Sequence, residues 1–364
     1  MTSHPLTAGR DQRTAVESLA TVESLAAAWD ELADRVGAAP WVRPGWVAAW
    51  WGAFGRGRLE ILALRRAGRL AAVLPLHHRH GAARSATNCH TPGFAVLGED
   101  ADARQRLLEA LLKRRPRQVG LCYLPPDAGS GLEEAGLAAR AAGYLVSDRS
   151  YLRSPWLPLE GGWDGYLGGL GAKKARGLRR QRRRMEREGE LTLDVQDGRE
   201  RLDELLGEGF AVEAASWKGT SGTAIRSRGD THRFYRQVAS WAAGRGTLRL
   251  AFLRWDGRPL AFDFCLEEHG AHYLLKTGYD PAYRNFGPGM LLRAEMIARA
   301  FACGLRTYEL LGADEAWKLY WASEVRDLRL LQAFAPSPAG LVDWAAWTHG
   351  RPLAKRALAA VARR

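Results

Sequence analysis

The chain of 364 residues is long for one domain, and its 46% hydrophobic and 26% charged residues are typical of a globular protein with ample core material. The net charge of +13 and the pI of about 9.9 favour acidic partners such as phosphates, nucleic acid or anionic lipid. Four scattered cysteines argue against a disulfide framework or a metal site, and no run of 18 apolar residues predicts a membrane span. We therefore expect a soluble, cytoplasmic protein.

The first half of the chain predicts a mixed α/β domain at 13–153, after a disordered N-terminus at 1–12. Apolar positions recur at helical spacing over 18–36, and Trp46, Trp50 and Phe54 mark a helix face that packs in the core. Two alternating runs over 58–76 indicate a hairpin. The other predicted elements are a loop-like stretch at 79–98, helix 103–114, strand 118–123, helix 132–142 and strand 144–148.

The second half predicts another α/β domain at 154–340 and a helical tail at 341–364, with a Pro- and Gly-rich junction at 154–162. The Asp256-Gly257 turn between alternating runs indicates a hairpin. The predicted elements are helix 173–187, strand 191–196, helix 199–215, a loop from Ser216, a helix capped by Asp230, strands 247–255, 258–267 and 272–279, helix 290–303, strand 307–311, a helix from 312–314 to 321, and strand 328–334. The similar order of elements predicts two copies of one plan, with helices packed on twisted, mostly antiparallel sheets.

A glycine-containing turn between a strand and a helix is the strongest local motif. Arg284, Gly287 and Gly289 stand at R-x-x-G-x-G spacing, after an apolar strand at 271–277 and before an apolar helical run. The glycines let backbone N–H groups approach a phosphate, the helix start adds partial positive charge, and Arg284 adds a bidentate donor. The predicted contact residues are Arg284, Asn285, Phe286, Gly287, Gly289 and Met290. The first half has no such turn at the matching place.

The helix at 173–187 is densely basic. Nine of its fifteen residues are Lys or Arg, and Leu178 and Met185 form a thin apolar seam. Such a helix is either a solvated surface or a binding site for a polyanion, because its like charges repel one another. The predicted polyanion contacts are Lys173, Lys174, Arg176, Arg179, Arg180 and Arg183.

The order of elements and the R-x-x-G-x-G turn resemble the GNAT acyltransferase superfamily, and tandem GNAT-like domains are the fold that this resemblance implies. Several blocks resemble its CelD/BcsL-like branch of acetyltransferases, associated with cellulose biosynthesis. They are the basic helix that ends near Glu190, the loop Ser216-Trp217-Lys218-Gly219, the hairpin 253–262, the Tyr-Asp-Pro at 279–281 and the block 308–321. Glu309 and Trp317 depart from the usual Asp and Tyr of that branch.

The resemblance implies acyl-CoA, such as acetyl-CoA, as co-substrate. Direct attack of an amine or hydroxyl on its thioester needs an oxyanion donor, for which we expect a backbone N–H around 275–277. Asp263, in an otherwise apolar strand, is either a base or acceptor anchor or a hydrogen-bonded structural residue, and Glu309 and Asp314 are further candidates for the base. Tyr320 is a candidate acid for the leaving thiolate. The predicted substrate contacts are Trp217, Lys276 and Trp317.

The tandem architecture is also similar to the Fem-like transferases, which use aminoacyl-tRNA as donor. Their late Phe-Lys pair resembles Trp317-Lys318, which gives Lys318 a candidate role in steadying charge at the transfer site. Two functions therefore compete: transfer from acyl-CoA to a small-molecule or saccharide acceptor, and transfer from an aminoacyl-tRNA that the basic helix holds. A third hypothesis is a nucleic-acid-binding protein with an inactive fold, against which the intact loop argues. The sequence predicts no metal site and does not define the oligomeric state.

Overall fold

The computed structural model describes residues 15–216, 222 and 224–350. They form one mixed sheet of 13 strands, flanked by helices. The strands are β1 Ala15–Leu19, β2 Arg58–Arg66, β3 Arg69–Arg79, β4 Ala82–Ser85, β5 Leu97–Gly98, β6 Gln118–Leu124, β7 Leu145–Pro158, β8 Leu191–Gln196, β9 Leu248–Trp255, β10 Arg258–Glu268, β11 Ala271–Tyr279, β12 Thr307–Glu309 and β13 Glu324–Phe334.

The α-helices of these residues are α1 Ala26–Arg35, α2 Pro44–Phe54, α3 Ala101–Lys113, α4 Leu132–Ala141, α5 Trp163–Gly169, α6 Ala172–Glu188, α7 Leu202–Ala215, α8 Gly229–Gly244, α9 Pro288–Ala302, α10 Ala316–Leu319 and α11 Pro338–Ala345. None of them is long and apolar enough to cross a membrane.

The two halves of the chain repeat one order of elements, which confirms the predicted plan. A first strand (β1 or β8) precedes two helices (α1 and α2, or α7 and α8) and three antiparallel strands (β2–β4, or β9–β11). A helix (α3 or α9), a strand parallel to the third of these (β6 or β12), a further helix (α4 or α10) and a last strand (β7 or β13) follow. The predicted mixed α/β class with a mostly antiparallel sheet is therefore correct.

The two halves exchange their last strands. The sheet order is β1-β2-β3-β4-β6-β13-β7-β12-β11-β10-β9-β8, so β13 pairs with β6 of the first half and β7 pairs with β12 of the second. β7 and β13 then pair with each other from Leu145↔Phe334 to Trp156↔Glu324. The predicted division at 153/154 falls within β7, which is part of the continuous sheet. The division into two domains therefore stays a proposal that is based on the repeated order of elements.

Alternation along the strands separates the cores on the two sheet faces. In the second half, Phe262, Phe264 and Leu266 pack with α7 and α8, whereas Ala261 and Cys265 pack with α9. In the first half, odd and even residues of β2 face α1 and α3 respectively. Trp46 and Trp50 of α2 lie in the same core as α8, which confirms their predicted packing role and joins the two halves.

Several predicted elements were wrong where pairing is non-local. Residues 15–19 form an edge strand on β2 rather than a helix start, and the loop-like stretch at 79–98 contains β4, whose sequence AARS shows no apolar alternation. The strand predicted at 144–148 extends to Pro158, and the last helix shortens to α10. Asp230 lies inside α8 and does not cap it. The second predicted piece of the tail lies outside the described residues.

Arg43 joins the two halves through a fully buried guanidinium. It pairs with Asp30 at 2.9 Å and with Asp34 on α1, and with Glu268 of β10 at 3.0 Å. Arg245 adds a second positive charge to these carboxylates. Burial of so many charges requires that every one be paired, because an isolated charge in the interior is strongly unfavourable.

We expect Arg43→Ala to lower the free energy of unfolding by about 3 kcal/mol, the lower end of the cost of breaking a buried pair, because Arg245 still faces the carboxylates. The measurement is urea unfolding followed by circular dichroism. Arg65→Ala, which removes the half-exposed pair with Glu17, is the matched control and should cost less than about 1 kcal/mol. Equal losses for the two variants would contradict the proposed role of Arg43.

Candidate functional site

The predicted glycine turn lies beside a fork in the sheet. β11 pairs with β12 only from Ala271↔Thr307 to Tyr273↔Glu309, and beyond that point β11 continues to Tyr279 paired with β10 alone. A β-bulge falls at Leu275, where Phe264 and Cys265 of β10 are opposite residues 276 and 274. Bulges redirect the backbone groups of a strand. The fork therefore exposes a strand edge where the sequence predicts an oxyanion donor.

The helix start after the turn carries no side-chain cap. Gly287 is the N-cap of α9 with a φ of +64°, and Pro288 follows at the first helical position. A Cβ at Gly287 would lie 2.9 Å from Nε2 of Gln181, and one at Gly289 would lie 3.2 Å from Cδ1 of Tyr279. Arg284 and Asn285 are exposed beside this start, and Phe286 and Met290 are half-buried. The first-turn N–H groups and an exposed guanidinium thus lie together, as an anion site requires.

The equivalent helix start in the first half already holds a carboxylate. Asp100 caps α3 by accepting a hydrogen bond from the backbone N–H of Ala103 at 2.7 Å, and Arg66 pairs with both Asp100 and Asp102. The N-terminal charge of α3 and the nearest arginine are therefore neutralised by the chain itself. Only α9 of this pair of helices offers its start to an external anion.

The basic helix α6 packs directly against the glycine turn. Its buried side chains are Ala175, Leu178 and Met185, as the predicted apolar seam implies. Gln181 lies beside Gly287, and the Arg184 guanidinium lies 4.4 Å above the ring of Phe286. Arg182 pairs with Glu295 of α9. The structure thus brings together the two positively charged features that the sequence predicted separately.

The basic side chains of α6 divide into two groups. Arg182 and Arg184 pair with glutamates, and Lys174 lies 4.2 Å above the ring of Tyr320. A second group is exposed and has no carboxylate partner among the described residues: Lys173, Arg176, Arg179, Arg180, Arg183 and Arg187. Five of these, at 173, 176, 180, 183 and 187, follow one side of the helix over about 21 Å. We call these five residues the α6 stripe.

Asp263 is fully buried in a two-point ion pair with Arg293 of α9. Both Asp263 oxygens lie 2.8 Å from Arg293 nitrogens, and Arg293 also donates to the Tyr308 hydroxyl and to Oγ1 of Thr277 at 3.4 Å. The Asp263 carboxylate raises the pKa of the Arg293 guanidinium against the effect of burial. These contacts favour a structural role for Asp263, which clamps α9 to β10 below the fork, rather than its predicted role as base.

Glu309 lies at the branch point of the fork and is buried. It accepts two hydrogen bonds from Arg326 of β13, at 2.9 and 3.3 Å, and burial raises the pKa of its carboxyl despite that partner. Asp314 forms an exposed pair with Arg153 at 2.9 Å. Of the three predicted carboxylates, Glu309 has the position and the raised pKa that suit a general base.

Lys318 supports the turn that closes the other side of the fork. Its Nζ donates to the backbone oxygens of Leu311 at 2.7 Å and Ala313 at 3.1 Å. Leu311 has a φ of +54°, an unfavourable conformation for its side chain that these bonds hold. Trp317 is half-buried, with the Arg293 guanidinium 6.0 Å above its ring, and burial raises the pKa of the Tyr320 hydroxyl.

On the side of the fork that faces α8, Lys276 lies 5.3 Å above the ring of Tyr235. His90, from a first-half loop, lies within 3.4 Å of the Tyr235 hydroxyl and stacks on Phe54. Burial and then the charge of Lys276 lower the pKa of His90 to about 4. Trp217 lies outside the described residues.

Sequence reasoning missed His90, Arg293 and Arg326. Their partners are 15 to 145 residues distant, so no local spacing marks them.

The comparisons with known proteins agree with this geometry. Residues 172–319, from α6 to the end of α10, match the family described as "Acetyltransferase (GNAT) domain". A search of curated proteins finds no match.

Two solved structures share the fold over most of the chain. The crystal structure of FemX superposes with a TM-score of 0.57 at 11% identity, covering 86% of this chain and 96% of FemX. The C-terminal domain of a protein described as a lysylphosphatidylglycerol synthetase, from Agrobacterium fabrum, superposes with a TM-score of 0.57 at 13% identity, covering 90% and 96%.

The family match covers the fork, the uncapped helix start and the basic helix, and the likeness to solved structures extends to the first half. Residues 172–319 therefore match a GNAT acetyltransferase domain, within a repeated fold that resembles FemX, and this match indicates that the chain is an acyltransferase.

Proposed function

We propose that the enzyme transfers an acyl group from acyl-CoA, such as acetyl-CoA, to an amine or hydroxyl of a small-molecule or saccharide acceptor. The observation that carries the proposal is the uncapped start of α9 beside the fork, in contrast to the start of α3, which Asp100 fills. A pyrophosphate is the anion that suits such a start, with Arg284 as the bidentate donor. The Gly287 and Gly289 positions give it backbone access.

The chemistry at the fork needs a base, an oxyanion donor and an acid. In the proposed step the acceptor nitrogen or oxygen attacks the thioester carbon, the C–S bond breaks, and the acyl group passes to the acceptor. A backbone N–H of β11 around Leu275 stabilises the oxyanion. Glu309 takes the acceptor proton, directly or through water, and Tyr320 returns a proton to the leaving thiolate. Lys318 acts as a positioning residue that fixes the turn at 311–313.

The finer family assignment is also a proposal. The motif blocks support the CelD/BcsL-like branch. The two residues that differ from the usual Asp and Tyr of that branch, Glu309 and Trp317, both lie at the fork. Trp217, Lys276 and Trp317 stay proposed acceptor contacts. We also propose a cytoplasmic location and no metal requirement, which the scattered cysteines support.

A second candidate donor is an aminoacyl-tRNA, as for Fem-like transferases. The α6 stripe supports it, because five exposed cations along about 21 Å exceed what one CoA molecule can neutralise, and the helix that carries the stripe packs against the glycine turn at Gln181. The uncapped start of α9 supports acyl-CoA more directly. Binding of acyl-CoA depends on Arg284, whereas binding of aminoacyl-tRNA depends on the α6 stripe.

We expect acetyl-CoA to raise the melting temperature of the purified chain, with about 2.7 kcal/mol of stabilisation at 100 times the dissociation constant. Arg284→Ala should weaken acetyl-CoA binding at least tenfold in calorimetry, because a charge-assisted bond contributes about 1.5 kcal/mol or more. Arg140→Ala, at an exposed arginine of α4, is the control and should bind acetyl-CoA as the wild type does. If Arg284→Ala also binds normally, the proposed donor site is wrong.

The combined Arg176→Gln, Arg180→Gln and Arg183→Gln variant separates the two donors. If acyl-CoA is the donor, we expect this variant to lose less than threefold in its affinity for acetyl-CoA. For aminoacyl-tRNA, we expect the wild type to bind charged tRNA, and the slope of log K against log salt to fall by about 2 in the variant. The charge-matched control carries glutamine at three exposed arginines elsewhere: Arg115, Arg140 and Arg233. Equal tRNA binding by variant and control would exclude a role of the α6 stripe in holding tRNA.

A further inference from the structure

A cavity of about 560 Å³ lies in the first half, apart from the fork beside α9. It occupies the equivalent fork, where β4 pairs with β6 only from Ala82↔Gln118 to Arg84↔Gly120 before the strands separate. Strand β13 supplies part of the floor, and residues 343–347 supply one wall. Its volume is in the range of small-molecule sites.

This cavity is not a second donor site. Asp100 fills the equivalent helix start, and Oγ of Ser85 accepts a hydrogen bond from the backbone N–H of Cys122 at 3.1 Å, which bridges the separated strands. Burial raises the pKa of the Cys122 thiol to about 12, so this cysteine is no nucleophile either. The first half therefore has a cavity at its fork but lacks the open helix start that would bind a phosphate.

The polar lining suits a ligand rich in hydroxyl groups. Nε2 of Gln118 donates to Oε1 of Gln332 at 2.6 Å, and Gln332 lies above Gly120, where a Cβ would approach Nε2 of Gln332 to 2.9 Å. Arg84 has no carboxylate partner among the described residues, and Nδ1 of His77 makes no hydrogen bond with them. Burial lowers the pKa of His77, so the imidazole is neutral at pH 7 and can donate and accept.

Aromatic side chains line the same cavity. Tyr151 is 50% exposed and packs edge-to-face on Tyr123 at 5.2 Å, and Trp347 closes the opposite side. Tyr123 has a φ of +66° at the bulge where β6 places one extra residue opposite β13, and this bulge directs its ring to the cavity wall. Amides that bind hydroxyls, beside aromatic faces that stack on C–H groups, are the contacts that a sugar ring needs.

The cavity and the transfer fork lie along one face of β13. Arg326, Leu330, Gln332 and Phe334 are all even-numbered, so alternation puts Arg326, which holds Glu309, on the same side as the three residues of β13 that line the cavity. At about 3.3 Å per residue, these three cavity residues lie about 13 to 26 Å from Arg326 along the strand. The loop that carries Cys89 into the cavity places His90 against Tyr235 near the fork.

We propose that this cavity binds the distal part of an elongated saccharide acceptor, whose reactive amine or hydroxyl reaches the fork between β11 and β12. The β13 residues that line the cavity lie about 13 Å or more along the strand from Arg326, which is farther than one sugar ring spans, so one sugar does not fill both places. The acceptor is therefore an oligosaccharide, or a sugar in a longer conjugate. The inference rests on the proposed function and adds the class and length of its acceptor.

The test uses calorimetry on the full chain with β-1,4-linked glucosamine tetrasaccharide, which offers amines and hydroxyls, and with glucosamine alone. We expect the tetrasaccharide to bind at least tenfold more tightly than glucosamine. Tyr151→Ala and Arg84→Ala, both at exposed side chains, should each weaken tetrasaccharide binding at least fivefold. In an acyl-transfer assay they should raise KM for the tetrasaccharide and leave the acetyl-CoA melting shift unchanged.

Absence of tetrasaccharide binding, or binding that both substitutions leave unchanged, overturns the inference. Arg140→Ala is the surface control and should bind the tetrasaccharide normally. The two proposals fail separately, because loss of the acetyl-CoA melting shift in the wild type contradicts the donor site, whatever the saccharide result.

Discussion

Exchange of the last strands, β7 and β13, is the constraint on which the rest of the structure depends. Neither half can complete its own sheet, because β6 needs β13 and β12 needs β7. The exchange also brings Arg326, near the end of the second half, beside Glu309 at the fork, and places Gln332 of the same strand in the cavity of the first half. One strand thus links the transfer fork to the cavity, and backbone pairing fixes their separation.

Within this common plan, the two halves differ in what neutralises the N-terminus of the equivalent helix, which is α3 in the first half and α9 in the second. The first four N–H groups of any helix lack internal partners and carry partial positive charge. In α3 the chain supplies its own anion, Asp100, and adds Arg66 to hold it. In α9 a glycine precedes the helix, no side chain caps it, and the nearby arginine is exposed. The equivalent N-caps thus differ as aspartate and glycine, and of these two helix starts only that of α9 is open to an external anion.

Local chemistry explains what the sequence could predict. The Asp256-Gly257 turn has φ values of +47° and +78°, as a tight hairpin requires, and the basic helix, β8 and the glycine turn all occur near their predicted bounds. The predictions that failed concern elements and contacts that depend on residues distant in the sequence. Edge strand β1 exists because β2 lies beside it, and β7 extends across the predicted junction because β13 and β12 cover it. The partner of Asp263 could not be read from spacing either, because Arg293 is 30 residues away on a helix.

The contact between α6 and the glycine turn changes how the two donor hypotheses relate. From the sequence, the turn favours CoA and the basic helix favours nucleic acid, as though each feature had its own ligand. In the structure, Gln181 lies beside Gly287, and Arg182 pairs with Glu295 of α9, so the helix is part of the wall of the proposed anion site. The paired arginines of α6 anchor it, and the α6 stripe and Arg179 are left exposed to contact a ligand. A pyrophosphate at the start of α9 would therefore lie in the field of the stripe, whose charge also favours rapid capture of any anionic donor.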